Sequence, residues 1–528
     1  MSDRFWDFPY PSRRMPVLAA NVATTSQPLA AQAGLRVLQR GGNAVDAAIA
    51  TAMALTVVEP TGNGLGSDAF ALVWDGDRLH GFNGSGRSPA AWSPERFAGR
   101  DRMPEIGWDA VTVPGAVDAW ARLHERFGRL SFPELAEPAI RYARDGFAVS
   151  PIIAAAWAGA AEKFGGFPNF ARTFLPGGRA PRAGERFVNP DQGRSLERIA
   201  ESRGEDFYRG ELARRIVACA AAEGGAMTLA DLGEHRGQWV DPIHIDFAGI
   251  RVHEIPPNGQ GLTALIALGI LRNLDMDAGS PDSADTVHRQ VEAMKIAFAL
   301  AHAHIADPDH MRIAPDALLA EGFLAGLAKT IRMDRAAEPG PAPPVEPGTV
   351  YLATADAEGM MVSCIQSNYA GFGSGVVVPG AGIALQNRGM GFSLEPGHPN
   401  RVAGGKRPYH TIIPAFATRD GEALMAFGVM GAHMQPQGHV QMATRIFVHG
   451  QNPQAAADAP RWHLCEDGRL ALEPGFDPAE ARALADRGHR ILDGSPPWGY
   501  GGAQLVLRTE AGYCAASDFR KDGQAAGF

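Results

Sequence analysis

A run of prolines, PPVEPG at residues 343–348, stops at a threonine that opens a β-branched, apolar stretch, TVYLATADAEGMMVSCIQSNY. Proline carries no N–H for a sheet ladder, so a strand can begin only after Gly348. The runs TVYLATAD and MMVSCIQSNY, separated by a turn that ends in Gly359, predict a hairpin. If Ala357 to Gly359 form a three-residue turn with Gly359 left-handed, Thr349 faces Ser367. A four-residue turn shifts the pairing by one. On the hairpin alone, Thr349 is equally well explained as a β-favouring residue at a strand start.

The two sides of this hairpin differ in texture. Upstream, GGNAVDAAIATAMALTVV predicts a helix from Ala44, FPELAEPAIRYARDGF a second closed by Gly146, and SADTVHRQVEAMKIAFALAHAHIAD a third capped by Ser283. In the third, Val287, Val291, Met294 and Phe298 form one apolar stripe that core packing explains. Downstream, SGVVVPG, TIIPAF, ALMAFGVM, GAQLVLR and GYCAAS are strand-like. Helices and strands in both halves predict an α/β layered fold with one shared sheet system. Residues 336–348, AAEPGPAPPVEPG, have the composition of a flexible linker.

With 45% hydrophobic and 20% charged residues in 528, the chain can bury a large core. A net charge of -9 and a pI near 6.0 lack the basic face that nucleic acid or an anionic membrane would need, which leaves small molecules as partners. Cys219, Cys364, Cys465 and Cys514 form no C-x-x-C pair, so neither a zinc site nor a disulfide framework is expected. MSDRFWDFPYPSRRMP has no apolar signal core, and no segment is apolar for long enough to span a bilayer; a cytoplasmic location is the expectation.

Several motifs fail. GFGSG at 371–375 is not a nucleophile elbow. GNGLGS at 62–67 follows no clear strand and is expected to be a turn or backbone-approach segment instead of a phosphate cradle. His302, His304 and His310 have no metal-binding spacing. No metal and no cofactor are expected.

Thr349 offers a different chemistry. A threonine hydroxyl is a weak nucleophile without an adjacent base, and a free α-amine on the same residue, with a pKa near neutral, is such a base. Thr349 acquires that amine only if the chain is cut after Gly348. A glycine in a proline-flanked loop is a place where the following hydroxyl can attack the amide, so Gly348 and Thr349 form the candidate processing site, and Ser367 supplies a second hydroxyl.

From this hairpin outward the chain resembles the γ-glutamyltranspeptidase family of self-cleaving N-terminal-nucleophile hydrolases. The resemblance is carried in order by GGNAVDAAIATAMALTVVEPTGNGLGSDAF, VPGAVDAWARLHERFGRLSF, ARDGFAVS, HRQVEAMKIAFA, GFGSGVVVPGAGIALQN, KRPYHTIIPAF and AASDFRKDGQAAGF. It implies a four-layer αββα sandwich. It also implies a proenzyme cut into a large subunit, 1–348, and a small subunit, 349–528, which stay associated in one shared domain as a heterodimer and can assemble further. Carried over by position, Thr349 is the nucleophile, Ser367 its orienting hydroxyl, and Gly431 and Ala432 supply the oxyanion-hole N–H groups. Where the family has a second glycine, this chain has Ala432.

The implied substrate pocket departs from the family. In LQNRGMGFS, Arg388 and Gly391 stand where glutamyl-binding relatives carry a Gln and an Asp; Ser85 replaces the carboxylate-binding arginine, with Arg87 two residues on. His410 and Thr411 replace paired serines, and Tyr369 an asparagine. A pocket presenting Arg388, Arg87 and His410 without a matched acid should repel an α-ammonium and attract a carboxylate. The expected substrate is an amide of a small carboxylate-bearing acyl group, oxamate-like or glutaryl-like. If Arg388 is instead spent on an acid such as Glu395, γ-glutamyltransferase or glutathione hydrolase activity is the alternative. A non-catalytic binding module on the same fold is the rival from another class.

Overall fold

Strand segments that are apolar on both faces must be covered on both faces. Asp68–Trp74, Thr349–Ala355 and Met361–Ser367 are buried at every position, and the computed structural model shows what covers them. It describes residues 14–276, 279–338, 348–492 and 497–528. Most of the proline-rich segment, residues 339–347, lies outside these, as does the N-terminal stretch 1–13.

The elements that place the site are, in chain order, β1 (Val17–Ala19), β2 (Val22–Thr25), α1 (Pro28–Gln39), α2 (Ala44–Val58), β3 (Asp68–Trp74), β4 (Leu79–Asn83), α3 (Phe132–Asp145), α4 (Pro151–Phe164), β5 (Gln238–Val240), β6 (Ile243–Phe247) and β7 (Ile250–Glu254). They continue with α5 (Gly261–Leu271), α6 (Ala284–His304), β8 (Thr349–Ala355), β9 (Met361–Ser367), β10 (Ala415–Arg419), β11 (Glu422–Met430), α7 (Met434–Ala443), β12 (Gly502–Thr509), β13 (Gly512–Ser517) and β14 (Gln524–Gly527). One antiparallel sheet runs β14-β2-β8-β9-β3-β4-β5 and the other β1-β13-β12-β11-β10-β7-β6. The single sheet system expected from the residues is therefore corrected to two sheets, because segments from both halves of the chain enter each. The αββα sandwich implied by the resemblance is the fold.

Three apolar layers hold the sandwich together. Phe70, Leu72, Tyr351, Ile365, Phe416 and Val506 meet between the sheets. The alternate residues Ala69, Ala71, Val350, Leu352 and Val362 turn outward against α1 to α4. On the far side, Val252, Phe427 and Leu505 pack on α5, α6 and α7. Burying one such large side chain contributes about 1.5–3 kcal/mol. Helix α2 is buried along its whole length and is started by a capping box of Asn43 and Asp46. Gly146 closes α3, and Ser283 caps α6 as its sequence predicts. No helix among the described residues is long and apolar enough to cross a membrane.

Of the strand-like runs, ALMAFGVM, GAQLVLR and GYCAAS lie within β11, β12 and β13. TIIPAF contributes only its last two residues to β10, and SGVVVPG a two-residue strand at Val377–Val378.

Candidate active site

The hairpin has the register that its turn chemistry predicts. Thr349 pairs with Ser367 and Ala355 with Met361, while Gly359 sits at φ +97°, a left-handed conformation that glycine takes without steric cost. Ser367 in turn pairs with Asp68 on β3. Thr349, Ser367 and Asp68 thus form one cross-strand row at the end of the three central strands.

Hydrogen bonds order this row. Thr349 Oγ1 lies 3.0 Å from Ser367 Oγ, and Ser367 Oγ donates to the Gly348 carbonyl at 2.7 Å. Ser367 has one proton to give, so its oxygen accepts from Thr349 and from Tyr369 N–H, the latter at 2.7 Å. Gly348 is enclosed. A Cβ there would stand 2.3 Å from Tyr369 O and Gly371 N, both backbone atoms that cannot swing away. Tyr369 itself is held at φ +76°.

The GNGLGS segment is the backbone-approach element expected from its sequence. Gly62 abuts the Thr349 carbonyl, where a Cβ would lie 3.4 Å from the oxygen, and a Cβ on Gly66 would stand 2.3 Å from Ala384 O. Asn368 N–H donates to Gly62 O at 3.2 Å, which ties this segment to the end of β9.

Arg388 is 1% exposed. Its Nη1 donates to Thr411 Oγ1 at 2.6 Å, and its guanidinium lies over the Tyr369 ring at 4.5 Å. Its Nε and Nη2 are buried and have no hydrogen-bond partner among the described residues. Burial lowers its pKa to about 10, so it stays cationic at neutral pH. It forms no salt bridge among the described residues, and Glu395 is on the surface.

Three expectations about the pocket need correction. First, it does contain an acid: Asp68 Oδ2 is 3.0 Å from His410 Nε2, and Asp68 Oδ1 accepts from Gly115 and Gly86 N–H. Burial pushes the Asp68 carboxyl up to about 7, against the pull of Arg388 and the two backbone donors. Second, His410 adds no positive charge. Its Nδ1 accepts from Ile412 N–H, so its proton is on Nε2, and burial followed by the nearby Arg388 and Arg407 holds it well below the usual range. Third, Arg87 is half-exposed and bound to Asp307 at 3.0 Å and Gly405 O at 2.8 Å. The guanidinium beside Ser85 belongs to Arg407, whose Nε donates to Ser85 O at 3.0 Å. Asp68 and Arg407 escape sequence reasoning because the contacts that bring them into the pocket are distant in the chain: His410 is 342 residues from Asp68, and Ser85 is 322 residues from Arg407. The Asp in GSDAF, at the start of an otherwise apolar strand, is the one local signal.

Gly431 and Ala432 follow β11 directly. Gly431 is at φ +131° and Ala432 at φ +49°, a left-handed alanine. The Ala432 carbonyl accepts from Gln260 Nε2 at 2.9 Å, and the same nitrogen donates to Thr411 O at 2.5 Å, which couples this turn to the residue that holds Arg388.

Two facing antiparallel sheets between helical layers, with a hydroxyl residue opening a central strand, define the class of N-terminal-nucleophile hydrolases. Within that class the chain belongs to the gamma-glutamyltranspeptidase family, whose sequence model matches residues 30–528. It is similar to the crystal structure of a cephalosporin acylase from Bacillus halodurans, with a TM-score of 0.95, 47% identity, and coverage of 100% of this chain and 99% of that one. It is 38% identical to the glutathione hydrolase-like YwrD proenzyme of Bacillus subtilis (strain 168), over 94% of this chain and 97% of the relative. It is also 38% identical to the oxamate amidohydrolase proenzyme of Klebsiella pneumoniae, over 96% and 98%. The chain is an enzyme, an amidohydrolase or acylase of this family, which answers the alternative of a non-catalytic module.

Proposed function

We propose that the chain cuts itself between Gly348 and Thr349, and that the freed Thr349 hydrolyses an amide whose acyl part carries a carboxylate and no α-ammonium. The observation that carries this reading is Arg388, a buried guanidinium with unused donors at Nε and Nη2, stacked on Tyr369, whose N–H donates to Ser367 Oγ. A buried cation with unsatisfied N–H groups is costly unless an anion meets it, and a carboxylate matches the guanidinium fork.

In the joined chain, Ser367 polarises the Gly348 carbonyl while Thr349 Oγ attacks its carbon; the C–N bond between Gly348 and Thr349 breaks, and the hydroxyl proton passes to the departing Thr349 nitrogen. The resulting ester is opened by water, which leaves a carboxylate on Gly348 and an amine on Thr349. In turnover that amine takes the Thr349 hydroxyl proton as the oxygen attacks the substrate carbonyl. Gly431 and Ala432 N–H hold the oxyanion, the proton passes to the departing nitrogen, and water releases the acid. Arg388, oriented by Thr411 and Tyr369, holds the acyl carboxylate. His410 keeps Asp68 in place, and neither joins the chemistry. The large and small subunits remain together because both sheets contain strands from each side of the cut. The oxamate-like or glutaryl-like preference and the cytoplasmic location belong to this proposal, and nothing in it calls for a cofactor.

Asp68 favours a second reading. It offers a negative charge beside Arg388, so a γ-glutamyl group would find partners for both its carboxylate and its ammonium, and glutathione hydrolase activity follows. Release of ammonia from oxamate and of p-nitroaniline from glutaryl and γ-glutamyl anilides distinguishes the two. Faster turnover of the γ-glutamyl compound overturns the first reading.

A further inference from the structure

A buried acid that the mechanism leaves unused stands at the end of α2. Glu59 caps this helix at its C-terminus, where the helix dipole disfavours negative charge. Its carboxyl is 4% exposed and accepts from Ser26 Oγ at 2.5 Å. Its carboxyl takes no part in closing the helix, which is done by the Glu59 backbone N–H donating to Leu55 O.

Its surroundings indicate a use. Glu59, Thr61, Gly62, Gly348 and Thr349 line one cavity of about 790 Å³. Gly62 N–H donates to Glu59 O at 3.1 Å, and Gly62 in turn abuts the Thr349 carbonyl, so the Glu59 turn is braced against the backbone that the cut would expose. The other acids lining the cavity are committed. Glu473 is paired with Arg520, and Asp522 accepts from Ile152 and Ile153 N–H at the start of α4.

We propose that Glu59 is a positioning residue for the Thr349 α-amine, the counter-charge that holds the new ammonium in the cavity and sets the pH at which it loses its proton. The inference rests on the reading of Thr349 as an N-terminal nucleophile. Burial pushes the Glu59 carboxyl up to about 7, with Lys521 and the Ser26 hydroxyl drawing it back and Asp522 adding to the rise. Lys163 also faces the cavity, from α4, but is paired with Glu105. An ammonium created beside Glu59 favours its ionised form, and the carboxylate raises the amine's pKa in return. Glu59 neither gains nor loses a proton over the cycle.

The test titrates the amine directly. Purified wild type, Glu59→Gln and Lys521→Met are acetylated briefly with acetic anhydride across pH 5–9, and the peptide that starts at Thr349 is quantified by mass. Glu59→Gln should lower the apparent pKa of that amine by roughly one unit, and the acidic limb of kcat/KM should move with it. Lys521→Met removes a cation from the same cavity and should raise it, the control that shows the assay reads charge at this amine; a merely structural role for Glu59 would leave the amine of a cut Glu59→Gln chain titrating as in wild type. A cut Glu59→Gln chain whose amine titrates as in wild type overturns the inference alone. A wild-type chain with no free amine on Thr349 overturns the reading beneath it.

Discussion

Replacing Arg388 by Gln separates the carboxylate reading from the glutamyl reading. Two guanidinium donors are unused in the structure, and a charge-assisted hydrogen bond is worth about 1.5–3 kcal/mol net. Losing both therefore costs about 3 kcal/mol or more, or roughly a hundredfold or greater fall in kcat/KM for glutaryl-p-nitroanilide at about 1.4 kcal/mol per tenfold. The γ-glutamyl anilide differs by one ammonium. With His410 neutral, the repulsion it meets comes from Arg407 and from Arg388, the latter's share, which the substitution removes, being at most about 4 kcal/mol for charges ~4 Å apart at an effective dielectric of 20. The substitution should thus depress the glutaryl substrate and leave the glutamyl substrate unchanged or improved, so the preference between them narrows or reverses. The assay is p-nitroaniline release from both compounds by both proteins, after melting curves and denaturing gels show that the variant folds and is cut. An equal fall for the two substrates, or a wild type that already prefers the glutamyl compound, refutes the reasoning.

Other expectations follow from single contacts. Gly348→Ala places a methyl group 2.3 Å from two backbone atoms, so it should fold less stably and show slow or no self-cleavage on a denaturing gel. Ser367→Ala removes the donor to the Gly348 carbonyl; losing one oxyanion-type donor typically costs ~10²–10³ in rate, and the time course of band conversion after expression measures it. Ala432→Gly relieves the left-handed alanine at φ +49° and should stabilise the fold by about 1 kcal/mol, read as a higher Tm with turnover retained. Burial pushes the thiols of Cys219 and Cys364 up to about 12, so iodoacetamide at pH 8 should leave both unmodified until urea exposes them.

What the sequence conveyed well was local. The hairpin register followed from a glycine that can adopt positive φ at the end of a three-residue turn, and α2, α3 and α6 followed from apolar spacing and caps. What it conveyed poorly was the assembly of distant segments. Asp68 meets His410 only because β3 lies two strands from β8 while the chain before β10 crosses over it, and no local pattern encodes that meeting. The same cause misassigned Arg87. Its position beside Ser85 in sequence argued for the pocket, but Asp307 and Gly405 draw it outward, and Arg407 occupies the ground. Two sheets were mistaken for one because a strand's own residues show how many of its faces are covered and not which sheet covers them.

The central claim is a backbone scission that gives Thr349 its own amine. N-terminal sequencing of the purified protein reads it out: a second sequence beginning Thr-Val-Tyr-Leu-Ala-Thr is expected. A single uncut polypeptide that still turns over amides would contradict it.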